Sequence, residues 1–248
     1  MDESIFKTSE FVVAAPHPDD AAFACGGLLA EAIRRGIGVA IHTLFTVTTF
    51  ADGKTYDDPA LPTAKRRKEE EAYAALLGQG CKLVYHDFEE ALVRKQGSFE
   101  AIYDPNAFGP IDQAAADDIA HILKAATGEG KTLLLPMGLG HHLDHSLVRD
   151  AGLGIMPLPA RLYLYEDLPY AQDYTPDDIG VIAQGFAAAH ARTASASLIS
   201  YPDFEAIKRR GMACYPSQDG DGSVSAQTLD CGRRLIADGV AERYWQLG

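Results

Sequence analysis

Five short apolar runs, each followed by a stretch with helical character or a turn cluster, constrain the fold of this chain most. Phe11–Ala15 (FVVAA), Gly38–Phe45 (GVAIHTLF), Lys82–His86, Thr132–Pro136 (TLLLP) and Arg161–Tyr165 read as strands. Continuous runs of this length suit strands covered on both faces. Between them, Phe23–Arg35 has apolar residues at near-helical spacing, with Gly36 as C-cap. Thr63–Leu77 is rich in helix formers, with Thr63 as a candidate N-cap and Gly78 at its end. Asp112–Ala126 and a short stretch ending near Ala151 complete the helices of this part. Strands alternating with helices predict an α/β fold: a Rossmann-like, doubly wound, mostly parallel sheet in a three-layer αβα sandwich. Beyond Ala171 the pattern weakens, and it predicts a strand near Ala194–Ser200 and helices at Asp203–Ala213 and Gly232–Trp245. Thr46–Pro62 reads as a lid-like loop and Ser217–Gln227 as a second loop. No repeat or low-complexity linker divides the chain, so a single domain over 1–248 is expected, its part from about 171 to 248 completing a substrate pocket.

Charge and composition narrow the function. Thirty-five acidic against 22 basic residues give a formal charge of −13, which argues against nucleic acid or an anionic membrane surface as partner. The N-terminus lacks the basic and apolar regions of a signal peptide, and no apolar run reaches the ~20 residues that span a bilayer. Cys25, Cys81, Cys214 and Cys231 make no CxxC pair and read as reduced thiols. A cytoplasmic protein acting on a small molecule is expected, and a homo-oligomer is compatible with the chain.

In open α/β sheets ligands bind beyond the carboxyl ends of the strands. His17, Asp19 and Asp20 follow the first strand, and His141, His142, Asp144 and His145 follow the fourth. If the winding reverses after three strands, these two strands are neighbours and the clusters share one crevice. Two histidines and a carboxylate are the ligand set of a catalytic zinc or a non-haem iron(II). His17 and Asp20, three apart at a strand-to-helix turn, can grip one ion, with His145 completing the set. A cation would also relieve the repulsion between Asp19 and Asp20, leaving Asp19 free to take a proton from water. The competing reading makes Asp19 or Asp20 an ordinary helix N-cap. His86, His121 and His190 have no partner cluster.

PHPDD (16–20), CGG (25–27) and HLDH (142–145), in this order, resemble the LmbE-like, or PIG-L, family of metal-dependent N-deacetylases. The resemblance extends to Arg66 and Glu69 with Leu77-Gly78, to YEDLPYA (165–171) and to YPSQ (215–218). It implies His17, Asp20 and His145 as metal ligands and Asp19 as general base. It further implies that His142 stabilises the oxyanion or protonates the leaving amine, that Asp144 sets its protonation, and that Arg66 contacts substrate. One position departs: the family motif continues PHPDDE, and here Ala21 stands in place of Glu. His141 is an additional histidine, read as an exposed side chain. Tyr165, Glu166 and Asp167 either line the crevice or serve strand-end packing.

The resemblance implies a zinc-dependent hydrolase that removes an acetyl group from the amine of a sugar or sugar conjugate. Two rivals stand beside it: a relative that binds metal or sugar without turnover, for which Ala21 is the support, and a deacylase of a non-sugar amide.

Overall fold

The computed structural model describes residues 3–158 and 160–248; the expected domain thus includes Met1, Asp2 and Pro159, which lie outside the described residues. The elements run β1 (Glu10–Ala15), α1 (Asp20–Arg34), β2 (Gly38–Val47), β3 (Phe50–Ala51), β4 (Lys54–Thr55), α2 (Ala60–Leu77), β5 (Cys81–Glu89), α3 (Ala91–Arg94) and α4 (Pro110–Ala126). They continue with β6 (Lys131–Pro136), α5 (Leu143–Gly154), β7 (Arg161–Tyr165), α6 (Pro176–Ala189), β8 (Ala194–Ile199), α7 (Phe204–Met212), α8 (Ser223–Arg233) and β9 (Glu242–Leu247).

Seven strands form one sheet in the order β5-β2-β1-β6-β7-β9-β8. The pairs β5–β2, β2–β1, β1–β6 and β6–β7 are parallel. β9 runs antiparallel between β7 and β8. The fold is the expected α/β sandwich with a mostly parallel sheet, and β1 lies directly beside β6, so the chain reverses its winding at this pair. Strand alternation divides β1 between the two cores. Phe11, Val13 and Ala15 pack with Leu28 and Leu29 of α1, and Val12 and Ala14 pack with Ile119 of α4 and Val148 of α5. Gly27 lets α7 approach α1: a Cβ there would stand 2.2 Å from the Phe204 ring.

Four local readings are corrected. α2 begins at Ala60, not Thr63, and the Thr63 hydroxyl instead accepts from the Thr48 amide at 3.0 Å. The lid-like loop is partly ordered, as the end of β2 and the β3–β4 hairpin. The helix expected at Gly232–Trp245 does not form there: α8 ends at Arg233 and β9 follows. Glu242–Leu247 is sheet because Tyr244, Trp245 and Leu247 fill the cores while Arg243 and Gln246 stay partly exposed. Part of the expected loop at 217–227 is the first turn of α8, whose Val224 and Ser225 amides donate to the Asp219 carboxylate at 2.8 and 3.0 Å. Among the described residues no helix is long and apolar enough to cross a membrane, and all four cysteines are free.

Candidate metal centre

β1 ends at Ala15, and the turn that follows carries His17 and Asp19 to the start of α1 at Asp20. Asp19 holds φ +130°, ψ −37°, a left-handed conformation that costs a non-glycine residue about 1–3 kcal/mol and gathers at functional sites. It occupies the N-cap position of α1, but its side chain makes no capping bond. Its Oδ1 lies 3.3 Å from Arg66 Nη2, which also donates to the Pro18 carbonyl at 3.0 Å. The N-cap reading therefore describes where Asp19 sits and not what its carboxylate does.

From β6 the chain turns through Gly138 and Gly140, both at positive φ, into α5, which delivers Asp144 and His145. His145 Nε2 stands 3.6 Å from Asp20 Oδ1, and His17 Nδ1 stands 3.5 Å from Asp20 Oδ2. The two distances run to different oxygens of Asp20, and one ligand atom from each of the three residues lies within 4.8 Å of the others, close enough to share one cation. The three residues are buried, with relative exposures of 7%, 9% and 2% for His17, Asp20 and His145.

Both histidines are backed by carboxylates. His17 Nε2–H donates to Asp144 Oδ2 at 2.9 Å and His145 Nδ1–H donates to Asp167 Oδ1 at 2.7 Å. Each bond leaves the opposite ring nitrogen facing Asp20, the carboxylate–histidine arrangement that orients metal ligands. The electrostatics agree. Burial alone would lower both imidazoles, yet the Asp144 hydrogen bond and the nearby Asp20 carboxylate hold His17 well above its ordinary pKa, and the charge of Asp20 with the Asp167 bond raises His145. Burial works against the charge on Asp20, but His145 and His17 keep it below the usual carboxylate range. The pocket attracts positive charge to the point where the three donors converge.

The remaining expected residues fall as follows. His142 lies against this triad, its ring centroid 4.9 Å from that of His17. Its Nδ1 accepts from the Asp144 amide at 3.2 Å, which puts its proton on Nε2. Burial, then the His17 charge, keep it neutral, well below its ordinary pKa. Asp144 was expected to set the protonation of His142, but its carboxylate goes to His17, to the Ala91 amide at 2.8 Å and to Arg94 Nη2 at 2.8 Å. It reaches His142 through charge, with no side-chain hydrogen bond. Arg66 was expected to contact substrate; its guanidinium lines the pocket but is occupied by Glu90, Pro18 and Asp19. Asp19 itself is pushed up to about 7 by burial, with Arg66 opposing.

His141 is exposed, as expected. Ala21 is fully buried in the apolar cluster around α1. The YED triplet separates by role. Tyr165 donates to the Ala14 carbonyl and Glu166 takes Arg243 and the Trp245 indole, both structural, whereas Asp167 holds His145. Glu90 and Arg94 were not singled out from the sequence, each sitting where no local motif marks it, and Tyr170 was given no role within YEDLPYA. The cavity over these groups is about 290 Å³. A larger one, about 680 Å³ between α4 and α5, touches this region through His141 and Leu143 and contains none of the three converging donors.

A family model described as PIG-L, GlcNAc-PI de-N-acetylase, matches residues 12–156. The chain is similar to 2'-N-acetylparomamine deacetylase of Streptomyces fradiae, 31% identical over 242 residues that cover 96% of this chain and 81% of that protein. Its fold is similar to the zinc-inhibited form of a teicoplanin deacetylase (TM-score 0.73, 20% identity, 97% and 98% of the two chains). It is also similar to N,N'-diacetylchitobiose deacetylase of Pyrococcus horikoshii in complex with an inhibitor (TM-score 0.62, 17% identity, 98% and 85%).

Proposed function

Because this chain belongs to the PIG-L, or LmbE-like, family of deacetylases, we propose that it is a metal-dependent N-deacetylase acting on an acetylated amino sugar or sugar conjugate. One observation carries the reading: ligand atoms of two carboxylate-backed histidines and Asp20 converge within 4.8 Å of one another beside a strained aspartate. The relative from Streptomyces, named for an N-acetylated amino sugar, supports the substrate class.

His17 through Nδ1, Asp20, and His145 through Nε2 would hold the ion, zinc on this donor set with iron(II) as the alternative. Such an ion, when bound, polarises the amide carbonyl and lowers the pKa of a water. The other steps belong to the chain. Asp19, held by Arg66 against the wall of the pocket, takes the proton of the attacking water on its carboxylate and returns it to the departing amine. His142, neutral with its proton on Nε2, donates a hydrogen bond to the oxyanion that forms as the carbonyl is attacked. Asp144 and Asp167 keep His17 and His145 turned inward. A single domain of cytoplasmic location is part of the proposal, with segments after residue 171 closing the pocket through Gln218 and Val224.

The test pairs elemental analysis with acetate release. Protein stripped by chelator and reloaded with zinc or iron(II) is expected to bind a single equivalent and to regain acetate release from N-acetylated amino sugars. Zinc above one equivalent is varied separately, since a similar fold is known in a zinc-inhibited form. Metal uptake without acetate release from any acetylated amine would leave a binding protein, and no uptake at all would remove the metal centre.

A further inference from the structure

We propose that Arg94 is a positioning residue that fastens two parts of the pocket to one point: the metal ligand His17, through Asp144, and the segment 96–109, through Asp112. This rests on the metal-centre part of the reading above and adds what holds that centre in shape.

His17 is aimed by the bond from its Nε2–H to Asp144 Oδ2. A carboxylate can orient a ring only if it is itself fixed, and Asp144 is fixed from α3. The first amide of that helix, Ala91, donates to Oδ2 at 2.8 Å, and its last side chain, Arg94, donates through Nη2 to Oδ1 at 2.8 Å. Both oxygens are thereby held, so the carboxylate keeps one face towards His17. The Arg94 side chain is 4% exposed and that of Asp144 is wholly buried.

The same guanidinium reaches further. Its Nε donates to Asp112 Oδ1 at 2.9 Å, its Nη1 donates to the Glu89 carbonyl, and the group lies over the Phe45 ring, 4.8 Å from the centroid. A planar fork with donors in fixed directions can bridge two carboxylates in this way, and a lysine ammonium is a point charge without that fork. Asp112, fully buried in the first turn of α4, also accepts from the Gly109 amide at 2.8 Å and from Lys95, whose ammonium donates to the Ala107 carbonyl at 2.6 Å. Segment 96–109 thus leaves α3 and enters α4 at one buried ion cluster. Between these tied ends it brings Phe99, Ile102 and Tyr103 into the lining of the pocket. A cluster that only closed this segment would need no bond to Asp144. The bond from Arg94 makes the pocket wall and the support of His17 one body.

The experiment is a zinc-competition titration of chelator-stripped protein, joined to limited chymotrypsin digestion at the exposed Phe99, Tyr103 and Phe108 with and without zinc. Arg94→Lys keeps a cation between the two carboxylates but cannot bridge them. Its zinc affinity should fall about tenfold, and that of Arg94→Met by up to about 100-fold. In the parent, zinc should slow cleavage about fivefold or more, and in Arg94→Lys and Asp112→Asn it should barely change the rate. Lys208→Met, which breaks a buried ion pair away from the centre, should keep the parent's zinc affinity and its protection by zinc; loss of either there would overturn the proposal, because general destabilisation would then suffice. Should Arg94→Met fail to fold, Arg94→Lys and Asp112→Asn carry the test. A zinc affinity of Arg94→Lys equal to the parent's would overturn the positioning role and leave the metal centre standing. Protection by zinc in Asp112→Asn equal to the parent's would overturn the link to segment 96–109. No zinc uptake by the parent would overturn the metal centre and the proposal with it.

Discussion

Two groups of buried charge lie along α1, and they are built differently. Midway along the helix, Glu242 accepts from the Gly27 and Leu28 amides at 2.8 and 2.9 Å, from Tyr244 at 2.7 Å and from Lys208 at 2.6 Å. Lys208, 1% exposed, also donates to the Phe23 carbonyl. The carboxylate and the cation both come from the polypeptide, and the cluster is closed. At the N-terminal end of α1, Asp20 faces His17 and His145 across separations of 3.5 and 3.6 Å, too long for hydrogen bonds to carry the cluster. The chain supplies carboxylates and orienting bonds there, and on the proposed reading the three donors would share a metal ion. Similar residue types thus serve to fasten α7 and β9 to α1 in one place and to prepare a binding site in the other.

Substitutions that treat the two clusters alike should have unlike consequences. The largest effect is expected from Asp19→Asn, which keeps the shape but loses the base: kcat should fall about 10²–10⁴-fold while metal content by elemental analysis is unchanged. Loss of metal together with rate would mean that Asp19 is a ligand. In the closed cluster, Lys208→Met leaves Glu242 buried without its cation and should lower unfolding free energy by about 3–5 kcal/mol in a denaturant titration. The metal affinity of the folded fraction should not move. Asp167→Asn should weaken metal binding by about 10–100-fold in a competition titration, because His145 loses the partner that turns it inward. An unchanged affinity would make Asp167 a packing residue only.

The smallest effect concerns Glu70, fully buried behind the site, one oxygen accepting from Thr43 at 2.7 Å and the other without a partner. Burial raises its carboxyl from 4.5 to about 8. The folded state then binds more protons than the unfolded one between these values, so this group's contribution to stability is present at low pH and is lost as pH rises through that window. In chelator-treated protein the difference in unfolding free energy between parent and Glu70→Gln should change by at most about 1.4 kcal/mol per pH unit there, the parent losing ground as pH increases. A difference flat with pH would mean that Glu70 is ionised throughout.

Much of this arrangement was legible because it is local. The five parallel strands are apolar runs bounded by turn residues, and the adjacency of β1 and β6 follows from winding rules, so PHPDD and HLDH could be brought to one crevice before any coordinates. What escaped depends on distance in the chain. Asp167 was one of three strand-end candidates, but its pairing with His145, 22 residues earlier, was not readable, nor was that of Glu90, 24 beyond Arg66. Arg66 read only as a substrate contact because nothing in TAKRRKEEE tells which arginine faces inward; the fold buries Arg66 and leaves Arg67 paired with Asp87 nearer the surface. At the C-terminal end, RYWQL carries the strand formers Tyr244 and Trp245 but does not alternate, and it follows a helix-like stretch without a proline between them. Gly239, at positive φ, is the break that separates the two.

The position of β9 has a consequence for how the molecule is made. It is the last element along the chain, yet it lies inside the sheet, between β7 and β8. β8 therefore has no neighbouring strand when it leaves the ribosome, and it waits through α7 and α8 for a partner made more than forty residues later. Those two intervening helices flank Gln218, and α8 carries Val224, at the edge of the pocket. A nascent chain that has already released both histidine clusters can assemble β1, β2, β5, β6 and β7 and gather its donors, but it holds an unfinished pocket until β9 arrives to lock the far edge.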